Sequence, residues 1–287
     1  MHRIAVTGAN GHFGKTLVRF LREQDYEVRC LDLYQGPPEQ ESAMNCDVLD
    51  LGALTSAFHG CDGVVHLAAF PSPYRHPDAR VYHDNTTGSY NVLLACELLG
   101  IEKVCLASSI NAIGGVYSRD PQYDYFPVDE KHPTYSEDPY SLSKWILEMQ
   151  GDCFARRREN VSISSMRFHW IQTRSYVEPY TTNGISYKHL WAYTDPIAAA
   201  KACLASLLVE WTGHEAFFIV APETASPTDS EELIRKHYPK VQVNRPMPGK
   251  HGFYDCSKAE RLLGWVHEDH EAPPSNGASN LASVPDA

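Results

Sequence analysis

The first 24 residues admit few folds. Residues 3–7, Arg-Ile-Ala-Val-Thr, read as a short apolar strand, and residues 15–24 read as a helix. Between them runs Gly8-Ala9-Asn10-Gly11-His12-Phe13-Gly14. Glycines in a strand–turn–helix context carry far more weight than the same glycines alone. Gly8 permits the tight turn, Gly11 lets the backbone approach a pyrophosphate, and Gly14 lets helix and strand pack closely. The helix start offers amide donors and a positive dipole end to the phosphates. Gly8, Asn10, Gly11, His12, Phe13 and Gly14 are therefore candidate contacts to a dinucleotide.

A second apolar run, residues 27–33, carries Asp32 about 20 residues after the glycines. An acid at that point accepts hydrogen bonds from ribose hydroxyls and repels a 2′-phosphate. Leu33 and Tyr34 bring no arginine to offset it, which favours NAD over NADP.

Strand and helix patterns then alternate. Strands are expected at residues 46–48, 63–67, 103–108 and 162–167, with helices at 51–58, 84–99 and 140–157. This predicts an α/β fold, a doubly wound parallel sheet of Rossmann type. Residues 1–167 form the expected cofactor-binding core. Residues 168–270 form a smaller substrate lobe, partly interleaved with the core, with helices at 195–210, 230–238 and 258–263 and a strand at 216–220. Residues 271–287 read as a flexible tail, rich in Pro, Ser, Asn and Ala.

The net charge of −11 argues against nucleic acid or an anionic membrane as a partner. No apolar run is long enough to span a bilayer, and the chain opens directly into a strand, so a cytoplasmic protein is expected. Eight scattered cysteines, none in a Cys-x-x-Cys pair, fit free thiols in a reducing compartment. The 14 histidines lack metal-ligand spacing, and no metal is expected.

Tyr140 and Lys144 stand four residues apart on one helix. That spacing places them on the same face, one turn apart. A phenol alone is too weak an acid for proton exchange at neutral pH, and a neighbouring ammonium is expected to lower its pKa. Such a pair suits proton transfer at an alcohol or carbonyl.

Taken in order, Gly8 to Gly14, Asp32, Cys46-Asp47-Val48, His66-Leu67-Ala68-Ala69, Asn85, Ser108-Ser109 with Gly114, and Tyr140 to Lys144 resemble the extended short-chain dehydrogenase/reductase family. The likeness is to its NAD-dependent epimerase/dehydratase group and covers roughly residues 3–267. It implies that Asp47 and Val48 flank the adenine, that Leu67, Ala68 and Ala69 lie against the cofactor, and that Lys144 holds the nicotinamide ribose. Asn85 and Ser108 join the cofactor set. Ser109 matches the Ser/Thr position that bonds the substrate oxygen beside Tyr140. A homodimer through the two long helices is the family expectation.

Within the family the chain looks most like compact uronate dehydrogenases. After residue 167 it reads Phe168-His169-Trp170 where nucleotide-sugar enzymes continue Asn-Val-Tyr-Gly-Pro. Lys188 stands nearest the position of an arginine that holds a substrate carboxylate in uronate dehydrogenases. Ser72, Tyr74, Asn111, His169 and Trp191 complete the substrate candidates, with Ser109. The expected activity is NAD-dependent hydride transfer at a secondary alcohol, hemiacetal or ketone of a small polar substrate, such as a sugar or uronic acid. An epimerase or dehydratase retaining its NAD, and a non-catalytic dinucleotide sensor, are the alternatives.

Overall fold

The computed structural model describes residues 1–34 and 43–270. The expected tail, residues 271–287, lies outside the described residues. The chain opens with β1 (Arg3–Thr7), α1 (His12–Glu23) and β2 (Glu27–Asp32), followed by β3 (Met44–Asn45), α2 (Leu51–Phe58) and β4 (Gly63–His66). Next come α3 (Asp78–Leu99), β5 (Lys103–Ser109), a 3-10 turn at Ile110–Ile113, β6 (Tyr125–Phe126) and α4 (Pro139–Arg157). The remainder is β7 (Ser162–Phe168), α5 (Arg174–Val177), α6 (Pro196–Leu208), β8 (Gly213–Ile219), α7 (Ser230–His237), β9 (Gln242–Val243) and α8 (Ser257–Leu263).

Seven strands form one sheet in the order β3-β2-β1-β4-β5-β7-β8, and every pairing is parallel. Parallel strands need covered faces, and alternation along β1 shows both. Ile4 and Val6 pack with Leu17, Cys203, Ile219 and Trp265, beneath α1, α6 and α8. Ala5 joins Leu54, Phe58, Val92 and Leu147, beneath α2, α3 and α4. A separate cluster, including Ile113, Phe126, Trp191, Leu233 and Phe253, sits beyond the strand ends.

Several boundaries differ from expectation. The third strand is Met44–Asn45 rather than residues 46–48. The Asp47 carboxylate accepts the Leu49 amide at 2.9 Å and turns the chain there. Helix α3 begins at Asp78, six residues before the expected start at 84. In its first two turns Val81 alone is buried, so they carry no apolar period. The expected lobe strand extends back to Gly213 and pairs with β7 in the main sheet.

Strand order reverses between β1 and β4, and ligands in open α/β sheets bind at such a switch point. Thr7 ties the two strand ends there. Its Oγ1 accepts the amides of Leu67 (3.2 Å) and Ala68 (3.3 Å) and bonds His66 Nδ1 at 2.8 Å.

Candidate active site

Steric contacts make the glycine turn obligatory. Gly8 has φ +70°, and a Cβ there would lie 2.8 Å from the Ala68 amide nitrogen. A Cβ on Gly14 would lie 2.1 Å from the Gly8 carbonyl oxygen. Gly11 starts α1 with no side-chain cap and no acid in the first turn. The first amides of α1 are thus left for an anion, which fits a dinucleotide pyrophosphate. Asp32 stands beside the turn, accepting the Asn10 amide at 2.9 Å and the Tyr34 amide at 3.1 Å. Phe13 packs edge-on against Phe168, 5.5 Å between centroids, while His12 is exposed.

One strand further, the end of β5 meets α4. Asp138 caps α4 by accepting the Ser141 amide at 2.9 Å, and Pro139 takes the first helical position. The cap sets Tyr140 in the first turn, buried, with its phenol hydrogen-bonded to Ser109. The Lys144 ammonium is buried one turn on. It donates to the Ala107 carbonyl at 2.6 Å and lies 5.8 Å from the Tyr140 ring centroid. Loss of water pushes Tyr140 up to about 12, against a smaller downward pull from Ser109, with Asp138 adding to the rise. Loss of water also brings Lys144 down to about 8, opposed by Glu148. The tyrosine pKa thus moves opposite to the expected lowering, because burial disfavours the phenolate.

Several candidates hold the site rather than face it. Ser108 donates its hydroxyl to Glu148 at 2.6 Å, so the expected cofactor contact is spent on a buried carboxylate. Asn85 accepts the Phe70 amide (2.8 Å) and donates to the Phe70 carbonyl (3.1 Å) and Ser143 (3.0 Å), which uses both its amide protons. Val48 packs against Gly88 of α3 and accepts the Asn91 amide at 3.1 Å. Leu67 and Ala68 are half-buried at the switch point, and Ala69 is exposed beside them.

Among the substrate candidates, His169 is corrected to a structural residue. Its Nδ1 accepts the Trp170 amide (2.6 Å) and its Nε2 bonds the His189 carbonyl (2.8 Å), leaving neither nitrogen for a ligand. Trp191 packs inside the molecule. It is buried against Phe253 and His237 in the cluster beyond the strands. The Lys188 ammonium donates to the carbonyls of Ser118 (2.8 Å) and Arg119 (3.2 Å), tying one loop to another instead of standing ready for a carboxylate. Asn111 is buried, and its backbone N–H donates to Ser109 Oγ at 3.1 Å. Ser72 is half-buried in the loop after β4, and Tyr74 is 60% exposed there.

Tyr117 belongs to the site and escapes a reading by sequence. Its ring meets Tyr140 edge-on at 5.6 Å and Tyr74 edge-on at 5.3 Å, so three phenols pack in a row from the exposed Tyr74 to the buried Tyr140. Glu148 was also missed, although it extends the spacing of Tyr140 and Lys144 by one more turn. Among the described residues no group of three or more His, Cys, Asp or Glu side chains is placed to hold a metal, and no helix is long and apolar enough to cross a membrane.

Known proteins share this fold. An L-arabinose 1-dehydrogenase (NAD(P)(+)) from Haloferax volcanii is 34% identical over 184 residues, 62% of this chain and 70% of that protein. Several other curated relatives are longer, and the match spans less than half of their length. A UDP-glucose-4-epimerase from Stenotrophomonas maltophila, with NAD bound, superposes with TM-score 0.71 at 18% identity over 94% of both chains. A mutated uronate dehydrogenase superposes with TM-score 0.67 at 20% identity, over 93% of this chain and 82% of that one. The profile of the NAD dependent epimerase/dehydratase family matches residues 4–171, more than half of the chain. With its seven-stranded parallel sheet, its glycine turn at the switch point and its Tyr140–Lys144 helix, the chain belongs to that family, within the extended short-chain dehydrogenases/reductases.

Proposed function

We propose that this chain is an NAD-dependent oxidoreductase acting on a secondary alcohol or hemiacetal, or the corresponding carbonyl, of a small sugar. The observation that carries this reading is the buried Tyr140 phenol, hydrogen-bonded to Ser109 with Lys144 one turn away. The glycine turn and Asp32 would hold the dinucleotide, and the Asp32 carboxylate favours NAD over its 2′-phosphorylated form. When bound, the nicotinamide supplies the hydride acceptor or donor. Ser109 would orient the substrate oxygen toward the phenol. As a phenol Tyr140 suits proton donation to a carbonyl; in the reverse direction it must first release that proton, and the phenolate then takes the alcohol proton as hydride leaves carbon.

A neutral sugar is preferred over a uronate, because the Lys188 ammonium is occupied by Ser118 and Arg119. The similarity to an arabinose dehydrogenase, over 70% of that protein, supports the same choice. The test is incubation with NAD and a panel of aldoses, uronates and hydroxyketones, followed by NADH absorbance. Turnover with an aldose is expected, and Tyr140→Phe should lower it by about 10²-fold or more while NAD affinity by calorimetry stays within a few-fold. Nucleotide retained through purification with no net NADH from any substrate would instead favour the epimerase or dehydratase reading.

A further inference from the structure

Three consecutive residues at the end of β5 each hold one residue of a single stripe on α4. Ser109 bonds Tyr140, the Ala107 carbonyl accepts Lys144 Nζ at 2.6 Å, and the Ser108 hydroxyl donates to Glu148 Oε1 at 2.6 Å. Tyr140, Lys144 and Glu148 lie four residues apart, so they stack on one helix face. The first two are the proposed proton-transfer pair. The third is 1% exposed, and the proposed chemistry does not use it.

Glu148 is held on every side. Arg167, on the neighbouring strand β7, grips it with Nε at 2.9 Å and Nη2 at 2.8 Å. The guanidinium in turn lies 5.0 Å from the centroid of Phe218 on β8. Both partners of this ion pair are almost wholly buried, at 3% and 2% side-chain exposure. A buried pair of this kind is often matched in stability by apolar side chains of the same volume. Stability alone is therefore a weak reason for it to sit one helical turn below Lys144.

We propose that Glu148 is a positioning residue for Lys144. Its carboxylate, fixed by Ser108 and Arg167, keeps the buried ammonium charged and turned toward the end of β5. The inference rests on Lys144 serving the proton-transfer site. The other charged and titratable groups around Lys144 are Tyr140 on the same helix, His66 on β4 and Arg167 on β7, with Glu130 and Asp129 acting on Arg167 from beyond it. Among these, Glu148 is the carboxylate whose field supports the Lys144 ammonium.

The test is an NMR titration of ¹³C-labelled lysine side chains, with the Lys144 resonance identified by its loss in Lys144→Met. In Glu148→Gln the Lys144 midpoint should fall by about one pH unit or more, and Glu148→Asp should recover part of the shift. Where Glu148→Gln alone loses its fold by circular dichroism, Glu148→Gln with Arg167→Met carries the test, since no guanidinium is then left unpaired. With a substrate in hand, the alkaline limb of kcat/KM should move down in pH with the Lys144 midpoint. A midpoint unchanged in whichever variant folds overturns the proposal. The titration needs no substrate. An inactive wild type with a shifted Lys144 would therefore count against the proposed function alone, and an active enzyme with an unmoved Lys144 against Glu148 alone.

Discussion

Water is scarce around the site, and its loss sets proton affinities residue by residue. Burial brings His66 and His169 down to about 3 and His189 down to about 4. Each is neutral in the fold and would take a proton on unfolding below about pH 6.5. A base with a depressed folded pKa contributes stability that is complete above its unfolded pKa and is lost as pH falls toward the folded value. Thermal stability should therefore fall steadily between about pH 6.5 and 4. The fall should be shallower in His169→Gln, whose amide can still accept one bond and donate another. Melting curves over that range, compared with wild type, check this; parallel curves would remove His169 from the account.

At the scale of elements, the glycine turn is the tightest constraint. An added methyl at Gly14 meets two backbone carbonyls, the Gly8 oxygen at 2.1 Å and the Ala9 oxygen at 2.8 Å. Neither moves without shifting β1 against α1. Gly14→Ala should cost about 3 kcal/mol and weaken NAD binding at least tenfold, measured by thermal melts and calorimetry. Gly184→Ala is the control, since nothing lies within 4 Å of its added Cβ. Helix α4 is also tied at its far end. His214 bonds Ser165 on β7 at 2.8 Å and Asp152 on α4 at 2.7 Å. The connectivity is that of a hydrolytic triad, yet Ser165 is wholly buried, and the three residues serve as a brace for the helix that presents Tyr140.

These elements also show what a sequence can reveal. The turn, Asp32, and the Tyr140–Lys144 spacing are legible because each is local: a glycine demands a backbone, and a four-residue interval demands a helix face. Ser108 and Asn85 were assigned to the cofactor by resemblance, and the structure spends both on internal ties. Tyr117 reaches Tyr140 from a loop more than 20 residues away in sequence, where no period marks it. The partners of Lys188 and His169 are backbone groups, which carry no side-chain signature at all. The start of α3 is hidden because a single buried side chain, Val81, makes no period.

Over the whole molecule, the two halves of the chain share one core. Ile4, Val6, Leu17 and Leu21 from the start of the chain pack with Ala199, Cys203, Phe217, Ala259, Leu263 and Trp265 from its end. The Trp265 indole donates to the Ala198 carbonyl at 2.8 Å, and His270 bonds Asp195 at the start of α6. A fragment of residues 1–167 would leave the inner face of α1 and one face of the sheet uncovered. It should be digested quickly by protease and melt without a cooperative transition, whereas residues 1–270 should resist and melt in one step. During synthesis the same geometry imposes an order of events. The ribosome delivers the nucleotide turn more than 170 residues ahead of α6 and α8. The nascent chain must stay soluble with that apolar face largely bare until α6 and α8 arrive.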